Sequence, residues 1–194
     1  MISLSRNAPA ILDTGCGEGY YTQTFKTAYP KAVFYGFDIS KEMIRLAAKR
    51  SHEDCRTTFF VANMSCIPVS DSSIDCAFHL FAPFCEKEFD RVVKPGGYLI
   101  SVCPGADHLW EMKEALYETP YKNEELAPSL SGFTIEKVIK AGGYITLEAR
   151  EDIDALFKMT PYYYHTCDED KKKLGKLDSL KTQTDFYIRI YRKD

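Results

Sequence analysis

At 194 residues, with 45% hydrophobic and 27% charged content and a net charge of −3, the chain has the composition of one globular domain with a sizeable core, expected to span 1–194. That charge excludes a uniformly basic nucleic-acid binder and leaves room only for a local basic patch. No stretch approaches the roughly 18 apolar residues that span a bilayer, and polar Ser3, Ser5, Arg6 and Asn7 interrupt any signal-peptide layout, so a cytoplasmic location is expected.

In chain order, apolar Ala10, Ile11 and Leu12 read as a short buried strand closed by Asp13, and a helix is expected over 20–29, ended by Pro30. A second strand covers 33–37. Ser40 is a good N-cap for a helix through Lys49, whose apolar face is Met43, Ile44, Leu46 and Ala47. The β-branched and aromatic run 57–61 predicts a third strand, and the almost wholly apolar 74–81 a fourth, buried on both faces. A helix over 86–93 then turns at Lys94-Pro95-Gly96-Gly97 into a fifth strand, 98–103. This alternation predicts a doubly wound, Rossmann-like α/β sheet with right-handed crossovers.

The second half is less regular. A helix is expected over 107–116, a polar loop over 118–131, and over 133–147 a strand or strand pair with a bulge or turn at Gly142-Gly143. A short helix at 152–159 and a charged one over 168–180, broken near Gly175, precede a closing strand at 185–191. The cysteines at 16, 55, 66, 76, 85, 103 and 167 form no C-x-x-C pair and are odd in number. They read as scattered buried thiols of a reducing compartment, with no metal site.

The segment 10–21 carries the chemistry. Gly15, Gly17 and Gly19 make a tight turn between strand and helix, where backbone amides can approach a ligand. Asp38 ends the second strand, nineteen residues past Gly19, where an acid accepts hydrogen bonds from ribose hydroxyls. The glycine spacing departs from the dinucleotide fingerprint, with Tyr20 in the expected place of the last glycine. Asp13 and Glu18 beside the turn repel a pyrophosphate but suit a ligand bearing an ammonium and a sulfonium. S-adenosylmethionine is such a ligand, and it is preferred to NAD.

With these residues in view, the chain resembles the class I S-adenosylmethionine-dependent methyltransferases. More narrowly, it is similar to the large-subunit ribosomal RNA guanine-N(1) methyltransferases. The stretches ILDTGCGEGYYT, GFDISKEMIRLAAKR, FAPFCEKEFDRVVKPGGYLI and PGADHLWEMK carry the likeness, as do GFTIEKV, LFKMTPYYY and QTDFYIRIY near the C-terminus. The resemblance implies a mostly parallel sheet with an antiparallel C-terminal strand, methyl transfer from S-adenosylmethionine, and ribosomal RNA as partner; that no membrane and no metal are expected rests on this chain's own residues. That family has an N-terminal zinc finger followed by helices that cover the cofactor. Here the first strand begins by about residue 9, so the expectation is a truncated piece or a shorter relative.

For the cofactor, Asp13, Gly15, Gly17, Glu18 and Gly19, with Cys16 and Tyr20 on the same turn, are expected around the methionyl end. Asp38 is expected at the ribose and Ile39 on the adenine. Asn63 and Met64 are placed to hold the adenine amine and ring face, although Asn63 also reads as a turn residue. Phe81 should lie beside the transferred methyl, with Ala82 and Pro83 holding the target base by apolar contact; the other reading is a core-ending turn. His108 is a candidate donor to the methionyl carboxylate or a water-exposed helix-start residue. His79 reads as a satisfied core histidine, and His52 and His165 as surface residues. The catalytic base is unassigned: Asp185 is a candidate, but a strand-start hydrogen-bonding role suits it better. Lys171, Lys172, Lys173 and Lys176 read as a solvated helix face or an RNA-backbone contact. A small-molecule methyltransferase, a cofactor-binding domain without turnover and a nicotinamide oxidoreductase are the competing readings, the last fitting the glycine spacing poorly. The oligomeric state, a homodimer included, is left open.

Overall fold

A computed structural model describes residues 8–51, 55–124 and 129–194. His52 and part of the 118–131 loop lie outside the described residues. The elements are β1 (Ala10–Thr14), α1 (Tyr20–Ala28), β2 (Val33–Asp38), α2 (Lys41–Arg50), β3 (Thr57–Val61), β4 (Ile74–Leu80) and α3 (Glu86–Val92). They continue with β5 (Val93–Pro104), α4 (Trp110–Leu116), β6 (Phe133–Leu147), α5 (Arg150–Lys158), α6 (Tyr162–His165), α7 (Asp168–Leu174) and β7 (Leu180–Lys193). The strands form one seven-stranded sheet in the order β3-β2-β1-β4-β5-β7-β6, mostly parallel with an antiparallel C-terminal strand. The doubly wound α/β architecture read from the sequence is the one observed.

The chain divides into two compact units. The first comprises the described residues of Met1–Cys103, Pro128–Ile139 and Ile188–Asp194. Its parallel strands are buried on both faces, and alternation sends neighbours to opposite sides. Ile11, Phe34, Cys76 and Phe78 pack on one face, where Phe25 of α1 stacks on Phe78 at 4.0 Å. Leu12, Phe37, Ala77 and Leu99 pack on the other with Phe89 and Val92 of α3. Ser40 caps α2 as expected, its side chain accepting from the Met43 amide.

The second unit comprises Pro104–Ala127 and Lys140–Tyr187. Its core is Leu109, Met112 and Leu116 from the α4 region, Ile153 and Phe157 from α5, Tyr162 from α6, and Leu174 and Leu180.

Several boundaries differ from the sequence reading, for local reasons. The Lys94–Gly97 turn is absorbed into β5 as an irregularity: Ile74 pairs with Val93 but Cys76 with Tyr98. Helix α4 starts at Trp110, not Asp107, because Leu109 takes a left-handed φ of 56°. Strand β6 runs unbroken through Gly142-Gly143. A Cβ at Gly142 would collide with the Thr184 carbonyl of β7, so this glycine answers a close strand approach, not a turn. Strand β7 begins at Leu180, five residues before the expected start, and Thr182 within it is fully buried. Helix α7 ends at Leu174, and α6 was not foreseen.

None of the cysteines forms a disulfide, but only Cys16 and Cys76 are buried, while Cys55, Cys66 and Cys167 are exposed. The expectation of buried thiols is corrected for those three, which lie outside the strands, on connections and at the α7 N-cap.

Candidate functional site

The glycine turn is built from the end of β1. Asp13 and Thr14 are buried, and the Thr14 hydroxyl donates to the Phe78 carbonyl of β4 at 2.9 Å. Gly15 follows at φ 66°, and a Cβ there would sit 2.6 Å from the Ala82 Cβ, so the loop after β4 presses directly on it. The Cys16 amide donates to the Phe37 carbonyl at 2.9 Å, tying the turn to β2. At Gly17, φ 53°, no atom lies within 4 Å of where a Cβ would stand, and its amide donates to Asp38 Oδ2 at 3.0 Å. Gly19 caps α1 at φ 78°.

A cleft of about 250 Å³ opens at the carboxyl ends of β1 to β4. The strand order reverses between β1 and β4, and open α/β sheets place ligands at such a point. Gly15, Asp38 and Ile39 line the cleft from the first two strands, Asn63 and Met64 from the end of β3, and Phe81, Ala82 and Pro83 from the end of β4. All eight are candidates of the sequence reading. Phe37 and Ala62 line it as well and were missed. Their signal was position alone, since each stands at or just past the carboxyl end of a strand. Cys16, Gly17, Glu18, Gly19 and Tyr20 belong to the turn, and Asp13 lies beneath it, 2% exposed. Tyr20 is 64% exposed at the start of α1.

The acids of this region differ in environment. Burial pushes the Asp13 carboxyl up to about 6, opposed by the Thr22 hydroxyl, which donates to its Oδ2 at 2.5 Å. Glu18 is paired with Arg50 at 2.9 Å and half exposed, which softens the acidity inferred for the turn. Asp38 accepts the Gly17 amide at one oxygen and the Ser40 amide, 2.8 Å away, at the other. A carboxylate offers about four acceptor positions, so each oxygen keeps capacity for another donor. Burial, with Asp13 and Asp38 nearby, raises the Cys16 thiol far above its ordinary range and keeps it protonated. Asn63 Oδ1 accepts the Ser65 amide at 3.1 Å, so Asn63 is both a turn residue and a cleft residue.

The loop after β4 has its own anchor. His79 is 6% exposed, its Nε2 lying 2.8 Å from the Ala82 carbonyl and 3.2 Å from the Pro83 carbonyl, and its Nδ1 3.3 Å from the Ser101 hydroxyl. It is the satisfied core histidine expected. Phe81 takes φ 54°, a strained conformation for a bulky side chain, and is 54% exposed.

In the second unit, the His108 Nδ1 accepts the Asp185 amide at 3.3 Å and its ring lies 4.6 Å from that of Phe186. Burial lowers its pKa, against the raising influence of Asp185, so the neutral ring carries its hydrogen on Nε2. The Asp185 side chain is 1% exposed and accepts the Asp107 amide at 3.2 Å, with Lys140 3.4 Å away. A Cβ at Gly105 would overlap it. It is therefore enclosed by its own unit and hydrogen-bonded, but inside β7 and not at its start as expected. Lys171 pairs with Asp168 and Lys173 with Asp170, so half of the basic cluster is neutralised locally. His165 is exposed. Among the described residues no three His, Cys, Asp or Glu side chains gather as a metal site, and no helix is long and apolar enough to cross a membrane.

Residues 11–97 match the methyltransferase domain family. The chain is 30% identical over 187 residues to YxjB of Bacillus subtilis, provisionally named a 23S rRNA (guanine-N(1)-)-methyltransferase; the match covers 93% of this chain and 65% of that relative. It is 32% identical over 126 residues to the malonyl-[acyl-carrier protein] O-methyltransferase of Hahella chejuensis, covering 59% of this chain and 44% of the relative. Among solved structures, a Bacillus halodurans protein provisionally titled a methyltransferase superposes with a TM-score of 0.66 at 16% identity, over 97% of this chain and 94% of that one. The chain thus spans less than two thirds of the length of these curated relatives. Domain match, strand order and relatives agree: residues 11–97 match a methyltransferase domain, the fold is the one its solved neighbours share, and the chain resembles the class I S-adenosylmethionine-dependent methyltransferases, their ribosomal RNA guanine-N(1) members included.

Proposed function

We propose that this chain transfers a methyl group from S-adenosylmethionine to ring nitrogen 1 of a guanine in ribosomal RNA. The observation that carries the substrate is the extent of the likeness. The match to the rRNA-type relative runs over 93% of the chain, whereas the match to the acyl-carrier enzyme covers 59%. The longer match therefore takes in the second unit as well as the first. A small acceptor remains the second reading, favoured by the net charge of −3 and the locally paired lysines.

The residues of the cleft fit the cofactor. Space at Gly17 where a side chain would intrude suits close approach of a ligand, and the half-exposed Asp38 keeps acceptor capacity for ribose hydroxyls. In this reading Ile39 and Met64 sandwich the adenine, with Asn63 at its edge. The turn from Gly15 to Tyr20, Cys16 and Glu18 included, surrounds the methionyl end. Asp13 acts as a buried negative charge beneath the turn. When bound, the cofactor supplies an electrophilic methyl on a good leaving group. The protein then has to align donor and acceptor and exclude water, tasks for Phe81, Ala82 and Pro83 at the cleft.

The test is a labelled-methyl assay on ribosomal RNA lacking the modification, with an acyl-carrier substrate and small-molecule acceptors in parallel. Incorporation mapped to N1 of a guanine is the expected result. Incorporation only into a non-RNA acceptor would replace the substrate assignment, and S-adenosylmethionine failing to bind would remove the activity.

A further inference from the structure

We propose that His79 is a positioning residue: its imidazole fixes the Ala82 and Pro83 carbonyls, and so holds Phe81 at the cleft as a flat apolar contact for the acceptor. The inference rests on the functional reading above for its consequence, though not for its geometry.

Carbonyl oxygens only accept, so the contacts at 2.8 and 3.2 Å require the hydrogen on Nε2, shared between two acceptors. The neutral ring then accepts at Nδ1, and Ser101 of the adjacent strand supplies the hydroxyl at 3.3 Å. Edge-on rings of Phe84, at 5.1 Å, and Phe89, at 5.6 Å, fix the imidazole plane. Both ring nitrogens are therefore engaged, the two phenyl rings, 4.9 Å apart, abut the imidazole together, and the side chain is held between β4, β5 and α3.

What it immobilises matters because the loop is strained. Phe81, at φ 54°, would relax to a negative φ if its successors were released. Across the cleft the loop is limited by Gly15, where Ala82 leaves no room for a Cβ. The loop is thus pinned from below by an imidazole and stopped in front by a glycine. Phe81 stays 54% exposed within the lining of the cleft. Leucine at 79 would fill similar space yet leave two carbonyls without their donor, whereas glutamine can return an N–H near the position of Nε2.

The experiment compares wild type, His79→Leu and His79→Gln by hydrogen exchange of the 80–84 segment, S-adenosylmethionine affinity and methyl-transfer kinetics. Nitrogen NMR of the wild-type imidazole reads the tautomer. The expected result is the Nε2–H tautomer, with exchange of 80–84 faster by about tenfold in His79→Leu and largely restored in His79→Gln, as loss of about one hydrogen bond implies. Exchange of β1 should stay unchanged. The acceptor KM should rise about tenfold in the leucine variant, with a smaller change in cofactor affinity. The Nδ1–H tautomer, or unchanged exchange in a folded leucine variant, would overturn the proposal. So would equal defects in both variants. If the leucine variant does not fold, the tautomer and the glutamine variant decide: wild-type exchange with Gln supports the strut, and loosening with Gln contradicts it. Absence of methyl transfer by wild type on RNA would instead count against the functional reading, leaving tautomer and exchange to judge His79.

Discussion

Around Gly17 in the first unit, Asp38 accepts a single backbone amide at each carboxylate oxygen, and apart from its chain neighbours nothing lies within 4 Å of where a Cβ on the glycine would stand. Around Lys113 in the second unit the arrangement is the reverse. This lysine is fully buried, its ammonium donates to the Tyr121 carbonyl at 3.0 Å and to Asn123 Oδ1 at 2.7 Å, and it lies over the rings of Tyr121 and Tyr162. Burial lowers its pKa, and the surrounding oxygens and ring faces hold the charge in place. A charge with neighbours on all sides stabilises one fold, whereas one with lone pairs to spare beside a gap can take a ligand.

The sharpest way to break this comparison is at Lys113. Lys113→Ala leaves a cavity and removes the donor from two acceptors, and should lower unfolding free energy by about 3 kcal/mol in denaturant titrations. A change under about 0.5 kcal/mol, as for an ordinary surface site, would deny it a structural role. Asp13 tests the intermediate case, a buried acid beneath the turn. Its carboxyl is lifted from 3.8 to about 6, so between those pH values the folded protein binds a proton that the unfolded chain does not. Its contribution to stability is therefore complete below about pH 4 and lost as pH rises through 6. Relative to wild type, Asp13→Asn should gain stability across that window, by up to about 3 kcal/mol. A flat difference between the two proteins would remove the burial argument.

Asp38→Ala sharpens the ligand side: S-adenosylmethionine should bind more weakly by about 1–3 kcal/mol in calorimetry. Unchanged affinity would take Asp38 out of the site. The smallest effect belongs to Glu18, whose partly exposed pair with Arg50 should contribute about 0.5 kcal/mol. Glu18→Gln is therefore expected to shift the melting temperature hardly at all, and a large loss would mean the turn depends on this acid.

Most of the first unit was legible because its strands are short, apolar and separated by glycine, proline or a capping serine. Gly15 and Gly17 were read as turn residues, and Asp38 was singled out by its place at the end of the second strand, nineteen residues past Gly19. What the sequence could not supply was which atom each glycine avoids. Gly142 has the appearance of a turn residue, yet it is required by the Thr184 carbonyl across a strand pair. Leu109 and Phe81 take left-handed conformations that no local propensity announces, because tertiary contacts impose them. The same holds for His79, whose ring meets two carbonyls three and four residues ahead, and for Lys113, whose partners come from a loop eight and ten residues on. Phe37 and Ala62 escaped notice because an apolar residue at a strand end looks identical whether it faces core or cleft.

The central claim is that an adenosyl group with a sulfonium-bearing tail occupies the cleft lined by Gly15, Asp38, Ile39 and Met64, beside the turn that carries Gly17. Diffraction from crystals grown with S-adenosylhomocysteine tests it most directly. The account predicts the ribose hydroxyls on the Asp38 carboxylate, the adenine between Ile39 and Met64, and the amino-acid end beside Gly17. A vacant cleft in crystals of protein saturated with that compound, or the compound bound elsewhere, would contradict it.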